Sequence, residues 1–252
     1  MNSLLKVENL KYKRTIAKKL LLTAPLFFLL VALLQSWFMP PEYAHSWTMV
    51  LALIYNWWPV LFIPLGAALV AGLVINQEKR AGNYRAVLIH PISPSYVWLG
   101  KIVVLVYHMS LTTLVLMGTT IAFGFITATG PVPWREILVG GAILWITALP
   151  QIPIQLLVAH IFGIFACIAL GVVGLLGGVL AAQTPYWIYS PWSWPTRLMC
   201  PLMGVHPNGT FLPPGDPLRT PMVIPIGVGL AIVSLVVMSL LTALWFGRME
   251  MR

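Results

Sequence analysis

Three reactive side chains stand in apolar parts of the sequence: His108, His160 and Cys167. Brought together, two imidazoles and a thiol could relay protons or attack a substrate covalently. Taken singly, a histidine in a helix bundle is usually a packed, hydrogen-bonded residue, and an isolated cysteine is usually a small packing residue. We interpret the three as packing residues. An intramembrane enzyme is the alternative, and it would require them to meet.

Sequence motifs for other kinds of catalysis are missing. Gly100-Lys101 is followed by Ile102 and lacks the upstream glycine of a nucleotide-binding P-loop. The sequence also contains no H-E-x-x-H zinc motif and no G-x-S-x-G nucleophile motif. Cys167 and Cys200 form neither a disulfide framework nor a metal-ligand spacing. We therefore predict no catalytic residue, no metal site and no cofactor bound by this chain.

The composition predicts a membrane protein. Of 252 residues, 59% are hydrophobic and 8% are charged, whereas a soluble domain has about 25% charged residues. A helix of about 20 apolar residues spans the hydrocarbon core, and uncharged runs of this length recur along the whole chain. The fold class that we predict is all-α and polytopic, with spans at about 20–38, 51–75, 101–126, 135–156, 161–182 and 222–246.

The predicted spans form one domain, residues 20–247, between a basic segment 1–19 and a short tail 248–252. The split between the fourth and fifth spans depends on length and on an interruption near Pro150 and His160, because no basic residue marks that turn. A re-entrant or kinked helix is the alternative at this point.

Basic side chains predict the orientation, because positively charged flanks stay on the cytoplasmic side. All the lysines and arginines lie in the first segment, the loop after the second span or the tail, except Arg135, Arg197 and Arg219. We expect both termini to be cytoplasmic. The net charge of +9 lies beside the spans, where anionic lipid headgroups are its partners, and we predict no nucleic-acid binding.

Two segments outside the spans are candidates for function. The first is the loop 76–100, whose residues Tyr84 and Leu88 would share a helical face that ends at Pro91; a plain polar connection is the alternative. The second is the loop 183–220, which is rich in proline and tryptophan. Its tryptophans fit membrane-interface anchors, with peptide contact as the alternative, and Asn208-Gly209 fits a turn. Residues 1–19 fit either an interfacial helix or a solvated flank.

Several short motifs resemble those of type-2 ABC exporter permeases. The second-to-third helix loop of that family resembles the string Glu78, Lys79, Arg80, Gly82, Leu88, Pro91, Ile92, Ser93 and Lys101. Lantibiotic-immunity permeases of the MutE/EpiE type are similar in a narrower set of features: Glu8 with residues 11–15, Trp57-Trp58-Pro59, Phe62-Ile63-Pro64, residues 191–195 with Arg197, and Pro207-Asn208-Gly209.

This resemblance implies a permease subunit of the bacterial cytoplasmic membrane that expels antimicrobial peptides to protect their producer. It implies two copies of a separate ABC ATPase subunit, which bind ATP and Mg²⁺, and a second permease, identical or homologous. Residues that would contact the ATPase are Glu78, Lys79, Arg80, Gly82, Tyr84, Arg85, Leu88 and Pro91. Residues that would shape the exterior gate are Trp192, Trp194, Arg197, Pro207, Asn208 and Gly209.

Two further functions fit the same sequence. One is an exporter for another hydrophobic substrate, a drug or a lipid, because the substrate path of such a protein is generic apolar surface. The other is a membrane module that binds a peptide or signals to a partner without transport. An ATP-hydrolysing partner would distinguish transport from this last alternative.

Overall fold

Apolar runs of the sequence fold as long helices in the computed structural model, which describes residues 2–12, 15–38, 45–82 and 93–249. Within these ranges six helical segments are long and apolar enough to cross a membrane. A separate N-terminal helix, Asn2–Tyr12, precedes them. The predicted all-α polytopic class is confirmed. The six spans are Ile16–Phe38, Trp47–Arg80, Pro94–Thr127, Trp134–Phe162, Ile164–Ala182 and Val223–Met249.

The spans differ in how deeply they are buried. In the second, third and fourth spans at least half of the apolar window is buried, whereas in the first, fifth and sixth the buried share is 17–22%. A short parallel strand pair, His45–Ser46 with Ala128–Thr129, joins the start of the second span to the end of the third. The second to fourth spans therefore form the core, and the other three present apolar faces outward.

A π-helical segment divides the second span. The helix Trp47–Trp57 passes into the π-helix Trp58–Phe62 and then into the helix Ile63–Arg80. Pro59 and Pro64 have no N–H to donate to the preceding turn, and the N–H of Ile63 reaches back five residues to the Trp58 carbonyl. Such a widened turn is a natural point of bending.

The fourth and fifth spans are separated by the single residue Gly163. Its backbone φ is +86°, a value that residues other than glycine rarely adopt. We predicted that the fourth span ends at 156 and that the fifth begins at 161, but the fourth continues to Phe162 and the fifth begins at Ile164. At Pro150 the fourth span only bends, between the helices Trp134–Ala148 and Gln151–Phe162. The chain therefore reverses direction at Gly163, where the positive φ of glycine permits the turn, and not at Pro150.

The segment after the fifth span re-enters the bundle. The helix Ser193–Met203 is buried along most of its length. Trp192, at its start, lies against Gly174 and Gly178, where an added Cβ would approach its atoms to 2.3 and 2.8 Å. Gly174 lies eight residues before the end of the fifth span, about 12 Å along the helix axis at 1.5 Å per residue. The predicted exterior loop 183–220 is thus partly a core element.

Replacing the junction glycine tests this fold. We expect Gly163→Ala to lower the free energy of unfolding by about 1–3 kcal/mol, because alanine at a positive φ is strained. Gly177→Ala is the matched control in the fifth span, since an added Cβ there meets nothing within 4 Å. Thermal unfolding in detergent, followed by tryptophan fluorescence, measures both variants. Equal stability of the two would contradict the assigned junction.

Candidate functional site

Four charged side chains meet at the end of the bundle that holds the N-terminal helix, which we name the terminal end. The Lys11 Nζ lies 2.7 Å from Glu8 Oε1 and 2.7 Å from Glu78 Oε1. The Lys101 Nζ lies 2.8 Å from Glu8 Oε2 and also contacts Glu78 Oε1. These four residues are the charge cluster. They join the N-terminal helix to the end of the second span and the start of the third.

The charge cluster is electrically balanced and largely excluded from solvent. Lys101 is completely buried and the Glu8 and Glu78 side chains are 1% and 8% exposed, while the Lys11 side chain is 26% exposed. Burial lowers the pKa of the Lys11 ammonium, but its hydrogen bonds to Glu78 and Glu8 and their charges outweigh burial and raise that pKa above its ordinary value. Two ammonium groups between two carboxylates form a compensated network.

The N-terminal helix is oriented by contacts on both sides of the charge cluster. Leu4 approaches Gly100, whose added Cβ would lie 3.4 Å from the Leu4 Cδ2. At the other end, the Tyr12 ring stacks on His108 with centroids 4.9 Å apart. Val7 and Leu10 are more than half exposed. The helix therefore turns its acid and its tyrosine toward the bundle.

The end of the second span is held from a second direction. Lys79 Nζ donates a hydrogen bond of 2.9 Å to the His160 carbonyl, near the end of the fourth span. Arg80 is exposed, and Gly82, with φ +103°, lies in the turn that follows. Four predicted coupling residues lie outside the described residues: Tyr84, Arg85, Leu88 and Pro91.

The possible reactive side chains have separate packing partners. Cys167 Sγ donates to the Ala68 carbonyl at 3.1 Å and to Gln155 Oε1 at 3.0 Å. The His108 ring lies against Tyr12 and shares a 2.8 Å hydrogen bond with the Val104 carbonyl. His160 instead meets aromatic rings edge-on: Trp98, Trp245 and Phe246. The three groups do not form a shared reactive centre.

The predicted gate residues contribute mainly to packing. Trp194, 4% exposed, donates its indole N–H to the Ile188 carbonyl at 3.2 Å. Arg197 donates to the Leu218 carbonyl at 2.8 Å and lies over the Trp187 ring, 5.9 Å from its centroid. Burial lowers the pKa of this guanidinium and raises the pKa of the Cys200 thiol to about 11. Trp187 and Trp194 are thus core residues and not the interface anchors that we expected.

The Asn208-Gly209 pair forms a hairpin turn. The N–H of Gly209, at φ +94°, donates to the His206 carbonyl, and the Asn208 side chain accepts from the Thr210 N–H. Pro207 is buried beside them. Asn56 Nδ2 donates to the same His206 carbonyl at 2.9 Å. The turn is therefore fastened to the second span.

Sequence reasoning found Glu78 and Lys101 but did not place them together with Glu8 and Lys11. A signal was present, because the chain has only six acidic residues and Glu78 borders an apolar span. An acid in such a position requires a positively charged partner. The identity of that partner, however, depends on where the N-terminal helix docks.

The fold and the site together define an all-α polytopic membrane protein that lacks a catalytic cluster in its described part. A family model described as "ABC-2 family transporter protein" matches residues 4–178. The chain therefore belongs to the ABC-2 transporter family, and the predicted resemblance to type-2 ABC permeases is confirmed at this level. Searches among curated proteins and among solved structures find no match.

Family membership settles the general role. The chain is a multi-pass membrane permease of an ABC exporter, and ATP is hydrolysed by a separate ABC ATPase partner. It is not itself an enzyme. The matched region includes most of the N-terminal helix, the whole charge cluster and the first four spans.

Removing either lysine tests the charge cluster. We expect Lys101→Met to lower the free energy of unfolding by about 3–5 kcal/mol, because two buried carboxylates lose their enclosed cation. Lys11→Met removes the partly exposed cation, and we expect a loss of about 1 kcal/mol. Unfolding in mixed micelles, followed by tryptophan fluorescence, gives both values.

A compensating change separates the loss of charge balance from the loss of packing by the Lys101 side chain. Adding Glu8→Gln to Lys101→Met removes one uncompensated charge, so the double variant should be more stable than Lys101→Met alone. If Lys101→Met were no less stable than Lys11→Met, the central position of Lys101 in the network would be wrong.

Proposed function

We propose that this permease expels amphipathic antimicrobial peptides from the membrane and that the terminal end of the bundle couples this movement to ATP hydrolysis. The complex would contain two ATPase subunits and a second permease, identical or homologous. The observation that carries the proposal is the charge cluster, which ties the N-terminal helix and the second and third spans into one unit beside the predicted coupling loop.

Such a unit suits the transmission of force. Glu78 belongs to the charge cluster, and the next residue, Lys79, is bonded to the fourth span. A push on the loop after Arg80 would therefore reach four elements at once, because ion pairs join three of them and the Lys79 hydrogen bond joins the fourth. From there the second span continues through its π-helical segment to the opposite end of the bundle.

The distribution of basic residues supports a cytoplasmic terminal end. Lys79, Arg80 and Arg248 lie there on the ends of the second and sixth spans, while Arg135 and Arg197 belong to the opposite end. Positively charged flanks are retained in the cytoplasm. Both termini would accordingly face the ATPase, which is a cytoplasmic protein in this proposal.

A cavity at the opposite end supports an amphipathic substrate. It has a volume of about 300 Å³ and lies between the first three spans and the hairpin turn. Its walls combine the rings of Trp57, Phe123 and Phe211 with the amides of Gln35 and Asn56. Apolar walls with a few polar groups are typical of ligand pockets. A drug or a lipid could use the same surface, so the substrate needs a direct test.

ATP-driven release from proteoliposomes tests the function. The chain is purified with its co-purifying ABC ATPase and reconstituted with a labelled amphipathic peptide, a labelled lipid or a hydrophobic drug in separate experiments. We expect ATP to release the peptide. Release of the lipid or drug alone would replace the peptide as substrate, and no release of any of them would contradict export of this class.

A charge reversal at the terminal end tests the coupling role. We expect Arg80→Glu to reduce ATP-driven release about tenfold, as a coupling loss of about 1.4 kcal/mol would, because it changes an exposed charge next to the predicted contact. Arg248→Glu is the matched control, since Arg248 is exposed at the same end on another span. Equal effects of the two reversals would contradict a specific role for the loop.

A further inference from the structure

A second cavity opens beside the start of the second span, on another face of that helix. Its volume is about 280 Å³. Trp47, Leu51, Leu202 and Met203 supply most of its apolar wall, and Glu136 and Thr48 supply polar groups. It lies at the end of the bundle opposite to the charge cluster.

Glu136 differs from the other acids that the structure describes. Glu8 and Glu78 are neutralised in the charge cluster, and the Asp216 side chain accepts a hydrogen bond from the Leu218 N–H at 2.8 Å. Over residues 2–12, 15–38, 45–82 and 93–249, no salt bridge includes Glu136. Glu136 therefore lines the cavity without an ion-pair partner among these residues.

The position of Glu136 in its helix explains only part of this arrangement. An acid in the first turn of the helix Trp134–Ala148 is stabilised by the helix dipole. That effect requires no cavity and no apolar walls. Arg135 is exposed, and adjacent positions of a helix do not face each other. The carboxylate therefore remains available to a cation that enters from outside.

The apolar wall beside the carboxylate is held in a fixed position. An added Cβ on Gly124 would lie 2.0 Å from the Trp47 ring, so the absence of a side chain at Gly124 makes room for that indole. The indole N–H of Trp47 donates to the Gly130 carbonyl at 3.2 Å, and the Trp47 ring meets the Phe125 ring edge-on. A rigid aromatic and aliphatic wall next to a carboxylate favours a molecule with a cationic group and an apolar body.

We propose that this cavity binds an ammonium or guanidinium group of an amphipathic molecule, with the cation at Glu136 and the apolar part against Trp47, Leu51 and Leu202. The Thr48 hydroxyl can accept a further hydrogen bond from the cation. The identification of the occupant as the exported molecule rests on the proposed function; binding of the cation does not. A lipid headgroup with a primary ammonium offers the same chemistry.

Binding of matched small probes tests the site. The chain is purified in a maltoside detergent, whose headgroup is uncharged, and titrated calorimetrically with decylammonium, with decanol as the neutral probe of equal chain length and empty micelles as the blank. We expect Glu136→Gln to weaken decylammonium binding about five- to tenfold and to leave decanol unchanged, because only the charged hydrogen bond is lost.

Two further variants keep the result interpretable. Asp216→Asn removes a negative charge from the same end of the bundle outside the cavity, and decylammonium should bind to it as to the original chain. Leu202→Trp narrows the cavity and should weaken both probes. Equal decylammonium affinity of the original chain and Glu136→Gln, or an equal loss in Asp216→Asn, would overturn the proposal.

Competition separates the two sources of the cation. Phosphatidylethanolamine that displaces decylammonium from the original chain, but not from Glu136→Gln, would identify a lipid site, and displacement by a lysine-containing amphipathic peptide would identify a substrate site. Either result supports a cation site. Export requires the ATPase and this titration does not. The titration can therefore support or contradict the cation site independently of whether peptide export is observed.

Discussion

The buried ammonium group of Lys101 is the interaction on which the terminal end of the structure depends. It carries a full charge at a position without solvent contact and is neutralised by Glu8 and Glu78, which come from two different elements. An isolated charge in such a place would be expelled or neutralised. Glu78 pairs Lys101 within the assembled second and third spans, and Glu8 adds the N-terminal helix to the same ion-pair network, so that this helix is part of the bundle.

The second span connects this charged end with the opposite end. It starts beside two cavities, passes through the π-helical segment Trp58–Phe62 and carries Glu78 and Lys79 next to its end at Arg80. Its second half, the helix Ile63–Arg80, is fixed by ion pairs and by the contact of Gly72 with Ile164. Its first half, the helix Trp47–Trp57, is joined to the second half through the segment that contains Pro59 and Pro64.

Close packing explains why the tryptophans behave differently from their usual role at membrane interfaces. Trp192 occupies the notch over Gly174 and Gly178, and Trp47 occupies the space left by Gly124. Large side chains set against glycines allow the re-entrant helix and the second span to approach their neighbours. Tyr186 and Tyr189, in contrast, are at least 70% exposed and fit the position of interface aromatics.

The sequence by itself determined the fold class and six spans, because about 20 consecutive apolar residues are stable in lipid only as a helix. It also pointed to Glu78 and Lys101 and to the family. Only the tertiary structure decided that Glu8 and Lys11 complete the charge cluster, that the loop 183–220 re-enters the bundle and that Gly163 separates two spans. These features depend on which surfaces meet across long stretches of chain, and neither hydropathy nor local motifs contain that information.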